Sequence, residues 1–208
     1  MNNVINELNQ YYEKNLNTFG PGPKGVGWKN EDAQSGRFAQ LLKIIQFNKE
    51  FTINDLGCGV GDLLAYLELN TYPFQSYHGY DCLNVMIGHA NARFDAASNA
   101  RFQKITEASE MMPADYTVAS GIFNLKYNTS NKKWLFYIEK TIESMHTCSS
   151  KGFAFNILTA YSDKDLQLSH LFYADPLYFF DFCKRKYSKN VALLHDYDEY
   201  DFTILVRK

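Results

Sequence analysis

The segment Ile53-Asn54-Asp55-Leu56-Gly57-Cys58-Gly59-Val60-Gly61-Asp62 constrains this chain more than any other. An apolar run leads into a turn with glycine at every second position, and the apolar residues that follow have helical spacing. Glycine accepts positive φ and has no Cβ to hold a ligand away from the backbone. A helix starting near Asp62 would present unpaired N–H groups suited to a carboxylate. Asp55, at the end of the strand, can accept from an ammonium group or order a water. A strand, a bare turn and a helix N-terminus together make a seat for a nucleoside cofactor with an amino-acid end.

Alternating β and α patterns surround this segment. Strands are expected at Phe51–Leu56, Ser76–Tyr80, Arg101–Ile105, Tyr116–Ala119 and Gly152–Leu158. The intervening helices are expected at Leu63–Leu69, Val85–Ala97 and Lys132–Cys148. Asp175-Pro176 is a helix start, since Asp caps free N–H groups and Pro suits the first turn. Val191–Leu194 and Phe202–Val206 flank the acidic stretch Asp196-Tyr197-Asp198-Glu199-Tyr200-Asp201 and should pair as a hairpin. The pattern predicts an α/β fold, mostly parallel, with helices on both faces and an antiparallel edge. Ligands of such sheets bind beyond the carboxyl ends of the strands.

The first 33 residues read differently. A helix is expected over residues 4–16, followed by the Gly- and Pro-rich stretch from Phe19 to Trp28, which breaks regular structure. We divide the chain into an N-terminal helix with a lid segment (1–33) and a cofactor-binding domain (34–208), whose first helix should begin near Ser35. Trp28 is either the pin of a surface loop or part of a lid over a ligand.

The 208 residues fit a full core, and 46% apolar against 21% charged residues is an ordinary globular balance. The sequence has no apolar run long enough for a membrane span, and the polar start lacks a secretory pattern. Cys58, Cys82, Cys148 and Cys183 show no metal or redox spacing, so structural thiols in the cytoplasm are expected. Net charge is −2, and the densest basic run, Lys184-Arg185-Lys186, is too narrow for a nucleic-acid surface. The 15 Tyr, 16 Phe and 2 Trp should mostly be core, with some left to line a pocket for an apolar or planar substrate.

Asp81 lies twenty residues after Gly61, at the end of the next strand, where a carboxylate can take both hydroxyls of a ribose. A dinucleotide fingerprint would place its third glycine where Asp62 stands. A carboxylate there would repel a pyrophosphate, and the Lys-Ser/Thr ending of a P-loop is missing. A phosphate-free nucleoside cofactor fits these residues better than NAD or FAD.

Asp55-Leu56-Gly57-Cys58-Gly59-Val60-Gly61 resembles motif I of the class I S-adenosylmethionine-dependent methyltransferases, and Asp81 resembles their ribose-binding acid. The similarity runs from about Gln34 to the end of the chain. It implies S-adenosylmethionine as cofactor and a seven-stranded Rossmann-like sheet of order 3-2-1-4-5-7-6 with strand seven antiparallel. It further implies that Asp55, Gly57, Cys58, Gly59 and Gly61 hold the amino-acid end, and that Asp81 with Cys82 holds the ribose. Glu107 and Ala108 would border the adenine, and Ser120 and Gly121 would lie beneath the methionine portion.

Enzymes of this class that methylate adenine or glutamine carry an Asn/Asp-Pro-Pro-Tyr/Phe stretch after strand four. This chain has Ser120-Gly121-Ile122-Phe123-Asn124 instead, a wording similar to a bacterial subgroup linked to small-molecule or glycan modification. The expected activity is methyl transfer to oxygen or nitrogen of a small molecule or sugar. The alternatives are a protein or peptide methyltransferase and a non-catalytic cofactor-binding partner subunit. A base is needed only if the acceptor loses a proton during attack. His170, in the loop after strand five, is the candidate, with Asn124 and Tyr173 as orienting groups and Trp28 on the lid; His195 and Asp196 are further candidates. The acceptor and the oligomeric state stay open.

Overall fold

The computed structural model describes residues 2–46 and 49–208. Among them, seven strands form one sheet: β1 (Phe51–Leu56), β2 (Phe74–Asp81), β3 (Ala100–Lys104), β4 (Ala114–Ala119), β5 (Ser149–Leu158), β6 (Asn190–Leu194) and β7 (Asp201–Arg207). Their order is β3-β2-β1-β4-β5-β7-β6. β7 runs antiparallel to both neighbours, and the pairs from β3 through β5 are parallel. This is the expected sheet.

Strand alternation sets the two faces. On β7, Phe202, Ile204 and Val206 point to one face and Leu205 to the other. The first face is covered by α5 (Asn131–Cys148) and α6 (Pro176–Lys186), which bring Trp134, Ile138, Ile142, Met145, Phe179 and Cys183 against Phe153, Phe155 and Ile157 of β5. The second is covered by α2 (Glu31–Leu42) and α3 (Asp62–Leu69), through Phe38, Leu41, Leu42, Leu63, Leu64 and Leu67. The fourth helix, α4 (Asn84–Arg93), follows β2.

Several element ends differ from the sequence reading. The first helix, α1, spans Asn2–Phe19, longer than residues 4–16. Its Val4, Leu8, Tyr12 and Leu16 recur every four residues and form the stripe that packs on the domain. Helix α2 starts at Glu31, not Ser35, because the Asn30 side chain accepts from Ala33 N at 2.9 Å and caps it. Helix α4 ends at Arg93, before Ala97. Strand β5 starts at Ser149, directly from the end of α5, where the Ser149 hydroxyl donates to Met145 O at 2.6 Å. A short 3-10 turn over Ala108–Glu110 was not expected.

Asp175 caps α6 as its sequence suggests, accepting from Leu177 N at 2.9 Å, with Pro176 in the first turn. Lys184, Arg185 and Lys186 fill the last turn, where they complement the helix dipole. Replacing Asp175 with Ala should cost about 1 kcal/mol. A thermal melt would then fall by about 2–4 °C.

Candidate functional site

Parallel strands bring their carboxyl ends to one edge of the sheet, and the glycine turn lies there. Register places Asp55 between Gly79 of β2 and Val118 of β4. The N–H groups of Gly57 and Cys58 both donate to Tyr80 O, at 2.7 and 3.0 Å, which ties the turn to the end of β2. Gly57 and Gly61 take φ of 80° and 84°, so side chains there would be strained. Space excludes them too: a Cβ on Gly57 would run into Ile122, and one on Gly61 would lie 2.6 Å from Phe94.

Asp81 joins the turn to α4. One carboxylate oxygen accepts from Gly59 N at 3.1 Å, the other from Leu83 N at 2.9 Å. Burial pushes the Asp81 carboxyl above its ordinary range, and those N–H groups pull it part of the way back. One side chain therefore ties the glycine turn to Leu83, the residue that precedes α4.

Asp55 is buried and accepts from the Tyr77 hydroxyl at 2.5 Å. Burial pushes its carboxyl up to about 7; the Tyr77 bond opposes the shift, while Asp81 and Asp62 add to it. Asp62, the first residue of α3, accepts from Gln34 Nε2 at 2.9 Å and from Arg93 Nη1 at 2.6 Å. It braces α2 and α4 against the turn, a role that spacing could not suggest. Gly61, the N-cap of α3, offers no side chain to its first N–H groups.

On the other side of the turn, Asn156 of β5 holds the loop after β4. Its Oδ1 accepts from Gly121 N at 2.7 Å, and its amide donates to Ser120 Oγ at 3.4 Å. Asn124 accepts from Leu158 N at 3.2 Å and so links this loop to the end of β5. The donor-site candidates Asp55, Gly57, Cys58, Gly59, Gly61, Asp81, Cys82, Ser120 and Gly121 thus belong to the ends of β1 and β2 and to the loops that leave β1, β2 and β4 at one edge. Glu107 belongs to the loop after β3, where it is exposed and caps the 3-10 turn that includes Ala108.

The N-terminal segment lies against the same edge. Leu16 packs with Val60, Leu83 and Met86, and Tyr12 joins that cluster. Burial and the nearby Asp81 carboxylate push the Tyr12 phenol well up. A Cβ on Gly59 would touch Val26 Cγ1 at 3.4 Å, and one on Gly121 would meet the Trp28 ring at 2.8 Å. Alongside, a cavity of about 430 Å³ runs between α1 and the β2–α4 junction, with Asn6, Gln10, Cys82, Leu83 and Lys104 among its walls.

His170 is exposed, its ring stacked on Tyr127 with centroids 6.4 Å apart. Its carbonyl accepts from Lys126 N and Tyr127 N, joining the loops after β4 and β5. Tyr173 uses its hydroxyl to accept from Leu168 N at 3.0 Å. His195 is exposed beside Tyr161 and Phe202, and Asp196 is exposed next to it.

Sequence reasoning missed Gln34, Tyr77, Asn156 and above all Arg37. Arg37 sits on the buried stripe of α2, between Ala33 and Leu41, and a charge on an apolar stripe was the available signal. Among the described residues no group of His, Cys, Asp and Glu side chains could hold a metal ion. No helix among them is long and apolar enough to cross a membrane.

No protein-family model matches the chain. A protein of Mycobacterium tuberculosis named "Putative methyltransferase Rv1506c" is 47% identical over 167 residues, which make up 80% of this chain and 99% of that one. Among solved structures, the magnesium protoporphyrin IX methyltransferase of Synechocystis PCC 6803 with bound SAH matches with a TM-score of 0.67 at 11% identity, over 98% of this chain and 99% of that chain. The N-methyltransferase NodS of Bradyrhizobium japonicum WM9, in complex with S-adenosyl-L-homocysteine, matches with a TM-score of 0.64 at 14% identity, over 96% and 97%. At such identities these two structures speak to the fold alone.

The raised Asp55 carboxyl has a consequence for stability. A native group that holds its proton up to about pH 7, above the unfolded value, makes stability fall as pH rises from about 4 through 7. Asp55→Asn keeps an acceptor for Tyr77 and removes the charge. Its melting temperature should exceed that of the native chain at pH 8 by several degrees, and the margin should shrink steadily below pH 7 and vanish near pH 4.

Proposed function

The chain belongs to the class I S-adenosylmethionine-dependent methyltransferase family, and from that premise we propose that its acceptor is the oxygen or nitrogen of a small molecule or sugar. S-adenosylmethionine supplies a methyl group on a sulfonium, an electrophile with a good leaving group. The residues at the strand ends fit such a cofactor. The glycines of the turn carry no side chains, and a nucleoside would lie against its backbone once Val26, which stands over Gly59, moves aside. The carboxylates Asp55 and Asp81 suit its ammonium group and ribose hydroxyls, and the uncapped start of α3 suits its carboxylate. In this reading Gly57, Cys58, Gly59 and Gly61 lie along the amino-acid end, and Asp81 with Cys82 holds the ribose. Glu107 and Ala108 border the adenine from the rim, and Ser120 and Gly121 support the methionine portion.

The enzyme's work is then alignment and exclusion of water rather than bond-making by its own side chains. Trp28 and Val26 wall the turn from the N-terminal side, while Asn124, Tyr173 and His170 stand on the acceptor side. His170 is the residue that would take a proton from a hydroxyl acceptor.

The observation that carries the small-acceptor reading is the cover itself. Val26 stands over Gly59 and Trp28 over Gly121, which favours a narrow acceptor over a folded protein surface. All four cysteines are free, which supports work in the cytoplasm.

Gly59→Arg should abolish binding of S-adenosylhomocysteine measured by calorimetry, because even a Cβ there touches Val26 and the rest of the side chain would occupy the face of the turn. Incubation with methyl-labelled cofactor and fractionated cell extract should place the label in the low-mass fractions. Label in protein, or no label in any fraction, would overturn the proposed acceptor class.

A further inference from the structure

We propose that Arg37 is a positioning residue of the donor site, acting through the indole of Trp28. The proposal rests on the reading above that Gly121 and Trp28 border the donor. Arg37 is 6% exposed and its guanidinium is held on every polar side. Nη1 donates to Ala33 O at 2.6 Å, Nη2 to Glu199 Oε2 at 3.0 Å, and Nε to the Asp201 carboxylate. Its flat face remains, and Trp28 occupies it: Arg37 Cζ lies 4.5 Å from the centre of the indole.

Trp28 is held differently at its two ends. Its backbone N–H donates to Pro23 O at 2.7 Å, which fixes the loop but leaves the side chain free to turn. The far end of the ring, Cη2 and Cζ2, abuts Gly121, where a Cβ would lie 2.8 Å away. The guanidinium therefore sets the plane of the ring that covers Gly121.

Arg37 in turn takes its position from the sheet. Asp201 is the first residue of β7 and pairs with Leu158, the last residue of β5. Glu199 comes from the adjoining hairpin turn. A line of contacts thus runs from the sheet through Asp201, Arg37 and Trp28 to Gly121. Arg37 touches no reacting atom in this arrangement, so its effect on the donor passes through the ring.

Arginine suits the position for a geometric reason. Its fork serves two carboxylates and a carbonyl in one plane while both faces stay available for stacking. Lysine would keep an ion pair with Asp201 and lose the planar face. A cation–π contact of this kind is worth about a threefold change in affinity.

The test is a cycle of four proteins titrated with S-adenosylhomocysteine by calorimetry: the native chain, Trp28→Ala, Arg37→Lys, and the two combined. Thermal midpoints and near-ultraviolet circular dichroism of each confirm folding, and Arg37→Lys keeps the charge that Asp201 and Glu199 need. We expect Trp28→Ala to weaken binding about fivefold or more and Arg37→Lys about threefold. In the Trp28→Ala background, Arg37→Lys should change binding by less than about 1.5-fold. Trp28→Phe, which keeps an aromatic face for Arg37 but loses the far end of the ring that abuts Gly121, should bind between the native chain and Trp28→Ala.

Equal weakening by Arg37→Lys in both backgrounds would overturn the proposal, since Arg37 would then act through the sheet and not through the ring. Unchanged affinity in Trp28→Ala, alongside lost binding in Gly59→Arg, would overturn the placement of Trp28 and the role of Arg37 with it. Unchanged affinity in Gly59→Arg as well would overturn the placement of the donor on the glycine turn.

Discussion

One carbonyl and one carboxylate at the end of β2 hold the turn on which the site is built. Tyr80 O accepts two successive N–H groups, from Gly57 and Cys58, and the neighbouring Asp81 accepts a third from Gly59. A turn with several left-handed residues has little intrinsic preference for one shape. These three bonds give it one. The parallel pairing of β1 with β2 puts donors and acceptors in reach of each other, so the turn depends on the sheet register before it depends on its own sequence. Asp62 completes the frame from the far side, gripped by Gln34 of α2 and Arg93 of α4.

How much of this was legible in the chain depends on whether the signal was local. The strand order came from the family resemblance that the glycine turn carries, with the alternating pattern permitting it, and the glycines reveal themselves because only they fit a backbone of that shape. The cap at Asp175 was readable for the same reason: it needs only its own next two residues. The end of α5 at Cys148 was read correctly, but the start of β5 was missed because a neighbour in space decides it: β5 begins at Ser149, not Gly152, and the Ser149 hydroxyl lies within hydrogen-bond reach of Met145 O and Thr117 Oγ1.

The site divides along the same line. Asp55 and Asp81 were legible because each ends a strand that the sequence marks. Tyr77, which bonds Asp55, lies between Ser76 and His78 on β2 and reads as an ordinary strand residue until the strands are laid side by side. Arg37 was hidden for a similar reason, since its two carboxylate partners lie more than 160 positions along the chain. Asn156 reads as an ordinary polar residue in a buried strand, and only the pairing of β4 with β5 shows that it holds Gly121. Side chains that orient other side chains leave almost no mark in a single sequence.

The carboxylates around the turn also bear on the direction of turnover. Asp55 feels both Asp62 and Asp81, and Arg93 pairs with only one of the three. Before transfer the donor carries a positive sulfonium, and afterwards its sulfur is neutral. A negative field of this kind, which strengthens as Asp55 loses its proton near pH 7, attracts the reactant form more strongly than the spent form. With the donor seated on this turn, as proposed, the same side chains that hold the turn in shape would favour exchange of used donor for fresh donor, and product departure would be helped by charge already built into the fold.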